Sequence, residues 1–386
     1  MGSYRYIVLG AGRQGLAIAY DLARFGEAAE VALVEADAGA LRRAAARLRK
    51  LVPGLRLRTI VRGIGASVKP VAALLRGYDV AVSALPYRLN PLLARAAVQA
   101  RTSFCDLGGN TDLVREELKL DRRARAAGVT LVPDCGLAPG LGNVLAAHAV
   151  SEVPGARDVH IRCGGLPLQP KGPLGYSLLF SIAGLTNEYT GQSVVLEKGK
   201  LKRVEAFTEV EPFRGPPGLG KLEAFHTSGG SSTAPWTFRG KLRTYVYKTL
   251  RYPGHFDKMR AVIELGLLDL EPVDVRGRPV VPRDVFHAVA GPRLSEPGVR
   301  DVVLLRVDCT TTRGRGVRYQ LVQRFDARTG FTAMEQTTGY PTAAVAHALA
   351  LGQSRPGAVP PERAGLGADH VRELRRRGLK LTRRRI

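Results

Sequence analysis

The stretch Tyr6-Ile7-Val8-Leu9-Gly10-Ala11-Gly12-Arg13-Gln14-Gly15 decides how the rest of the chain is read. Tyr6 to Leu9 predict a buried strand, and Gly10 to Gly15 spell G-x-G-x-x-G. Leu16, Ala17, Ile18, Ala19, Leu22 and Ala23 then recur at helical spacing. Strand, glycine turn and helix in that order are the context a dinucleotide-binding fingerprint needs. Gly10 permits the tight turn, Gly12 lets the backbone approach a pyrophosphate, and Gly15 lets helix and strand pack closely. Arg13 and Gln14 open the helix, whose free N–H groups and positive dipole end would face the phosphates.

The next strand, Val31 to Val34, ends in Glu35, about 20 residues past the last glycine. A carboxylate there accepts hydrogen bonds from the adenosine ribose and repels a 2′-phosphate, so NAD is expected over NADP. Asp37 could share that role, while Arg42 and Arg43 keep NADP open. A strand over 55–61, a helix over 68–76 and a strand over 79–82 follow. The last runs into Ser83-Ala84-Leu85-Pro86-Tyr87. Ligands of a doubly wound sheet bind beyond the carboxyl ends of its strands. Ser83, Ala84 and Pro86 are therefore expected beside the cofactor's reactive half, with the Tyr87 phenol aimed at substrate. Helices are expected over 91–101 and 113–127, on either side of Gly108-Gly109-Asn110. The strand 129–132 leads through Pro133-Asp134-Cys135-Gly136-Leu137-Ala138-Pro139-Gly140 into a helix over 141–150. Cys135 joins the expected cofactor contacts. Alternating β and α units predict a parallel sheet with right-handed crossovers.

The pattern changes after about residue 153. Strand-like runs at 158–163, 176–181, 193–196, 222–226, 241–247 and 301–309 alternate with glycine- and proline-rich turns, and helices are expected near 257–266 and 282–289. The fold class expected is α/β, a Rossmann doubly wound parallel sheet plus an inserted α+β domain with a mixed or antiparallel sheet. The expected divisions are 1–152 for the NAD-binding domain and 153–335 for a substrate-binding and dimerisation domain. A C-terminal helical segment, 336–386, would return to the first domain and carry a basic tail.

Composition narrows the class further. With 386 residues and 45% hydrophobic content the chain is expected to form two globular domains. No apolar run approaches the roughly 20 residues of a membrane helix, and a strand starts almost at residue 1, so no signal peptide and a cytoplasmic location are expected. The four cysteines, Cys105, Cys135, Cys163 and Cys309, form no C-x-x-C, which supports no metal site and predicts free thiols. The net charge of +24 comes from 58 Lys and Arg against 34 Asp and Glu. Its densest run, in the tail, has no interleaved aromatics, so a solvated arginine-rich surface is expected rather than a nucleic-acid site.

Seven motifs fall in one order: Gly10–Gly15, Ser83–Tyr87, Asp106-Leu107-Gly108-Gly109-Asn110, Pro133–Gly140, Gly164-Gly165-Leu166-Pro167, Phe225-His226-Thr227-Ser228-Gly229-Gly230 and Lys248-Thr249-Leu250-Arg251-Tyr252-Pro253-Gly254-His255. Together they resemble the saccharopine dehydrogenase family, closest to its L-lysine 6-dehydrogenase branch, from about residue 4 to 350 and weakly to 381. The resemblance implies NAD-dependent oxidative deamination of the lysine ε-amine, giving 2-aminoadipate 6-semialdehyde, which cyclises, with ammonia and NADH. Saccharopine and carboxynorspermidine reductases are the alternative. The resemblance places Asp at the position of Ala138 in saccharopine reductases, which argues against saccharopine, whereas Cys163 before Gly164 matches their active-site cysteine.

A neutral ε-amine is required before hydride can leave, so a base is needed. Asp134, His226 and His255 are the candidates, with Tyr87 a possible donor. Arg251 is the candidate for the substrate carboxylate, because a guanidinium binds carboxylates bidentately. Glu188 is the candidate for its ammonium, and Cys163 and Thr227 are further substrate contacts. The expected partners are a small amino-acid substrate and a second copy of the chain in a homodimer or larger homo-oligomer.

Overall fold

The computed structural model describes residues 2–386. The chain begins with β1 (Tyr4–Leu9), α1 (Arg13–Phe25), β2 (Ala28–Glu35), α2 (Ala38–Leu51), β3 (Leu57–Val61), α3 (Val68–Leu75) and β4 (Val80–Ser83). It continues with α4 (Asn90–Ala100), β5 (Ser103–Asp106), α5 (Thr111–Leu118), α6 (Asp121–Ala127), β6 (Thr130–Val132) and α7 (Gly142–Glu152). These strands form a parallel sheet in the order β6-β5-β4-β1-β2-β3. Chain order reverses between β1 and β4, which opens the crevice where ligands of such sheets bind. Helices cover both faces. Tyr6 and Val8 of β1 pack into one apolar core and Ile7 and Leu9 into another, as the near-continuous hydrophobic run of a fully buried strand requires.

The second sheet is built from β7 (Asp158–Pro167), then, after α8 (Ile182–Glu188), from β8 (Gln192–Glu197), β9 (Lys200–Glu205), β10 (Glu211–Arg214) and β11 (Lys221–Phe225). A short α9 (Ala234–Phe238) precedes β12 (Thr244–Arg251). Next come α10 (His255–Glu264), a hairpin of β13 (Val273–Val275) and β14 (Arg278–Val280), α11 (Pro282–Leu294), β15 (Asp301–Thr310) and β16 (Gly316–Arg324). The chain then makes α12 (Ala333–Ala350), β17 (Gly357–Ala358), α13 (Gly367–Arg376) and β18 (Leu381–Arg385). The second sheet runs β10-β11-β12-β7-β15-β16-β18, with β8 and β9 attached at β12. Only β7 and β12 are parallel neighbours, so the sheet is mixed.

The chain after β16 belongs to both sheets. Asp301 at the start of β15 accepts the backbone N–H groups of Ala333 and Met334, fixing the start of α12. Gly339 lets α12 lie against α1, because a Cβ there would come within 2.7 Å of Ala17 Cβ. β17 then extends the parallel sheet beside β6, and β18 closes the edge of the mixed sheet. Among the described residues, no helix is long and apolar enough to cross a membrane.

Several elements differ from the sequence expectations. Residues 176–181 are not a strand: Tyr176 to Leu179 are all buried in succession, in an irregular segment packed on Phe207, Phe225 and Phe256. Their apolar character reflects burial, not alternation. The helix expected over 113–127 is two helices, broken at Lys119 and Leu120. The C-terminal helical segment expected from 336 opens three residues earlier, at Ala333, where Thr332 and Glu335 form a capping box. The arginine-rich end is not simply a solvated tail. Leu381 is buried, the following four residues are exposed, and the backbone pairs with β16. Arginine composition carries no information about that pairing, because edge-strand side chains can stay in water while the main chain bonds.

Candidate active site

The cofactor end is built almost entirely from main chain. Gly10 has φ +100°, and a Cβ there would lie 2.8 Å from the Ala84 carbonyl oxygen. A Cβ on Gly15 would lie 1.9 Å from the Gly10 carbonyl oxygen. Gly12 is different: nothing lies within 4 Å of where its Cβ would be. That open space fronts the first turn of α1, which no side chain caps. It is a cradle for a pyrophosphate, so these residues fit a dinucleotide. The Glu35 carboxylate accepts the Ala11 N–H at 3.0 Å and the Ala36 N–H at 2.8 Å, which aims it at the glycine turn. Asp37 caps α2 through Ala40. Arg43 Nη1 would be 3.2 Å from a Cβ on Gly39, so a cation also stands near the acid pair.

Arg13 and Gln14 are engaged with α12. Arg13 Nε pairs with Glu335 at 2.9 Å, and Gln14 Nε2 reaches the Met334 carbonyl. Both tie α1 to α12. The Ser83 hydroxyl donates to Asn90 Oδ1 at 2.9 Å, ordering the loop in which Ala84 and Pro86 follow. The buried Cys135 thiol donates to the Val132 carbonyl, and burial raises its pKa well above a thiol's ordinary value.

The parallel sheet brings Asp106 and Asp134 to the carboxyl ends of β5 and β6. Asp134 is buried and adopts φ +60°, a strained conformation for a non-glycine residue. Its carboxyl accepts the Ser232 hydroxyl from the other sheet's loop, and its Oδ1 has no partner. Burial, then the charge of Asp106, push its pKa up to about 8. The Gly108-Gly109 turn can approach only because it lacks side chains. A Cβ on Gly108 would strike Asp134 Oδ1, and one on Gly109 would strike the Tyr87 ring. Tyr87 Oη accepts from Asn187 Nδ2 at 3.0 Å across the cleft, and Asn187 Oδ1 accepts from Arg283 at 3.1 Å.

The other end of the cleft is a buried network of side chains. Arg251, 3% exposed, ends β12. Its Nε donates to Tyr189 Oη at 2.8 Å, its Nη2 stands 3.5 Å from Glu188, and its guanidinium lies 4.8 Å from the Tyr176 ring centroid. Tyr189 in turn faces His255 Nε2 at 2.8 Å, and His255 Nδ1 meets the Leu174 carbonyl at 3.1 Å. A carbonyl only accepts, so the proton is on Nδ1 and Nε2 accepts from Tyr189. Burial, aided by Arg251, lowers the His255 pKa to about 3, so the ring is neutral. Burial raises Glu188 to about 7 against the pull of Arg251.

These features meet in sequence comparisons. Residues 6–132 match the pattern described as the saccharopine dehydrogenase NADP binding domain, and residues 136–379 match the saccharopine dehydrogenase C-terminal domain. The chain belongs to the saccharopine dehydrogenase family. The mitochondrial alpha-aminoadipic semialdehyde synthase of Mus musculus is 27% identical over 218 residues, 54% of this chain and 23% of that protein. The NADP(+), L-glutamate-forming saccharopine dehydrogenase of Saccharomyces cerevisiae is 22% identical over 222 residues, 55% of this chain and 49% of that protein. The matched region thus spans at most about half the length of these curated relatives. In structure, the apo saccharopine dehydrogenase (L-Glu forming) of Saccharomyces cerevisiae matches with a TM-score of 0.78 and 20% identity over 100% of both chains. The NAD-bound homospermidine synthase of Legionella pneumophila matches with 0.68 and 13% identity, over 100% of this chain and 92% of that one. These likenesses establish the shared fold.

Within this family fold, the expected site residues divide between the two faces of the mixed sheet. Cys163 and Thr249 are register partners, and Thr249 Oγ1 lies 2.7 Å from Thr227 Oγ1. Burial raises the Cys163 pKa to about 12, so its thiol stays protonated. Arg162 and Lys248, one residue back on each strand, point the opposite way. His226 sides with them: its Nε2 meets Glu209 at 3.1 Å, and Lys248 Nζ holds the Glu209 carbonyl. The structure does not bring His226 to the Arg251 network. Burial and Lys248 lower its pKa. Tyr189, Tyr176, Asn187 and Ser232 join the site without having been singled out by sequence. The local signal was the place of Asn187 and Tyr189 beside Glu188 and of Ser232 after the Gly229-Gly230 turn; Tyr176 had none.

Among the described residues no three His, Cys, Asp or Glu side chains are grouped to hold a metal ion.

Proposed function

We propose that the chain is an NAD-dependent dehydrogenase of the lysine ε-amine, releasing ammonia and leaving 2-aminoadipate 6-semialdehyde. The observation that carries this reading is the buried Arg251 with Glu188 on one side of the cleft and Asp134 on the other. Arg251 takes the α-carboxylate bidentately, and Glu188 takes the α-ammonium. The side chain then extends toward Tyr87 and Asp134. The glycine turn would hold the cofactor's pyrophosphate and Ser83, Ala84 and Pro86 would flank its reactive half, and the cofactor would supply the hydride acceptor for C6 of the substrate. The rest of the work falls to this chain. Freeing the ε-amine of its proton costs roughly 4–5 kcal/mol at neutral pH for an unperturbed amine. Asp134, raised to about 8 by burial and Asp106, is a strong enough base to take that proton. Once that proton has passed to solvent, the same carboxylate takes a proton from the water that adds to the iminium and returns it to the departing nitrogen, giving aldehyde and ammonium. His255 holds Tyr189, and Tyr189 holds Arg251, so His255 is a positioning residue.

The names of the relatives support a second reading, saccharopine oxidation with NADP, and Arg43 near Asp37 is compatible with a 2′-phosphate. Purified protein is tested with lysine and with saccharopine, each with NAD and with NADP, by absorbance of the reduced cofactor. Lysine with NAD is expected to be fastest. Asp134 must be ionised to accept a proton, so kcat/KM is expected to rise with pH through about 8 and then level. Turnover of saccharopine but not of lysine at alkaline pH overturns the proposal.

A further inference from the structure

Behind Asp134 two more carboxyl groups are buried against each other. Asp106 ends β5, and Glu117 lies in the last turn of α5. Asp106 Oδ1 accepts the Gly108 N–H at 2.6 Å and the Asp134 N–H at 3.2 Å. Asp106 Oδ2 and Glu117 Oε2 have no N–H or hydroxyl donor, and the two carboxyls are in hydrogen-bond contact. Two carboxylates cannot meet in that way without sharing a proton. Burial raises the Asp106 pKa too, but Asp106 accepts two backbone N–H groups that favour its ionised form, and Glu117 accepts none. Burial, then the charge of Asp106, raise Glu117 well above the ordinary carboxylic range. The proton therefore resides on Glu117. The other titratable groups facing this set are Glu116 of α5, the thiols of Cys105 and Cys135, and Glu362, which Thr233 and Thr237 hold at 2.9 and 2.7 Å.

We infer that Glu117 is a positioning residue: its proton keeps Asp106 ionised, and ionised Asp106 keeps Asp134 basic enough to take the substrate's proton. The inference rests on the reading of Asp134 as the base. Without a donor at Oδ2, Asp106 would itself take up a proton. Asp134 would then lose its negative neighbour, ionise at lower pH and become a weaker base.

Three variants and one spectrum test this. In E117L the acid limb of the kcat/KM profile is expected to move down by about one pH unit, with the plateau falling about tenfold. In E117Q the amide N–H still donates to Asp106 but cannot titrate, so the limb is expected to return to within about 0.3 pH unit of native. If E117L does not fold, D106N removes the same charge and is expected to move the limb in the same direction. A folded E117L with the native limb, or an E117Q displaced as far as E117L, overturns the inference. Infrared spectra need no substrate. At a pH above the Asp134 limb, native protein is expected to keep the C=O stretch of a protonated carboxyl group, D134N to retain it and E117Q to lose it. Absence of that band in native protein also overturns the inference. If the band behaves as expected but no amine is oxidised, only the proposed function fails.

Discussion

The two ends of the cleft are made in different ways. The cofactor end is main chain, drawn from neighbouring residues: three glycines within six positions and an uncapped helix start. The end proposed for the substrate is side chain, drawn from far apart: Arg251 meets Tyr189 across 62 residues, and Tyr189 meets His255 across 66. A backbone cradle tolerates almost any side chain nearby but no side chain at its own positions. A buried side-chain network tolerates backbone variation but no lost partner, because each loss leaves a desolvated polar group unsatisfied.

That contrast can be broken by substitution. The largest effect is expected from Arg251→Met, which strips the network of its cation, leaves Glu188 without its ion-pair partner and removes the donor to Tyr189. Steady-state kinetics should show kcat/KM for the amino acid lower by about 10²–10³-fold, with cofactor affinity unchanged. Gly12→Val and Gly15→Ala separate seat from scaffold at the other end. Gly12 has open space around its Cβ position, so Val there should leave the melting temperature alone and weaken cofactor binding by about 10²-fold in a fluorescence titration. Ala at position 15 meets the Gly10 carbonyl at 1.9 Å and should cost roughly 1–3 kcal/mol in denaturant unfolding as well. Equal stability for the two variants would show that the turn is not built as described. Tyr189→Phe removes the acceptor from Arg251 and the donor to His255. KM should rise about tenfold, with kcat little changed, if Tyr189 only orients the guanidinium. The smallest change is expected from Glu35→Ser, which should lower the preference for NAD over NADP by about tenfold. An unaltered cofactor ratio would remove Glu35 from the ribose site.

The same contrast explains what could be read before the structure. The glycine turn, Glu35 at the end of β2 and the alternation of strands and helices are local, so the parallel sheet was legible from periodicity and spacing. Arg251, Glu188 and Asp134 were legible as residue types in motifs, but their partners were not. Nothing local connects Ser232 to Asp134, 98 residues away, or places His226 and Thr227 on opposite faces of the sheet. Consecutive residues at a strand end differ in direction by the pleat alone, and only the register of β7 with β12 reveals which of them faces the cleft. Arg13 and Gln14 lie inside the fingerprint, yet their side chains serve α12, a helix more than 300 residues downstream. β18 was hidden because its four consecutive non-apolar residues carry no strand alternation.

The placement of β18 has a consequence for how the molecule comes into being. The sheet that carries Arg251 acquires its edge from residues made after the chain has already gone back to extend the parallel sheet through β17. During synthesis, β16 therefore emerges with one side bare, and it stays bare until about sixty further residues have left the ribosome. In that interval an alternating strand with Val317, Tyr319 and Leu321 on its inner side offers unpaired backbone to any neighbouring nascent chain. Its row of outward polar residues, Arg318 and Gln320 among them, is then a guard against mispairing as much as a surface for water.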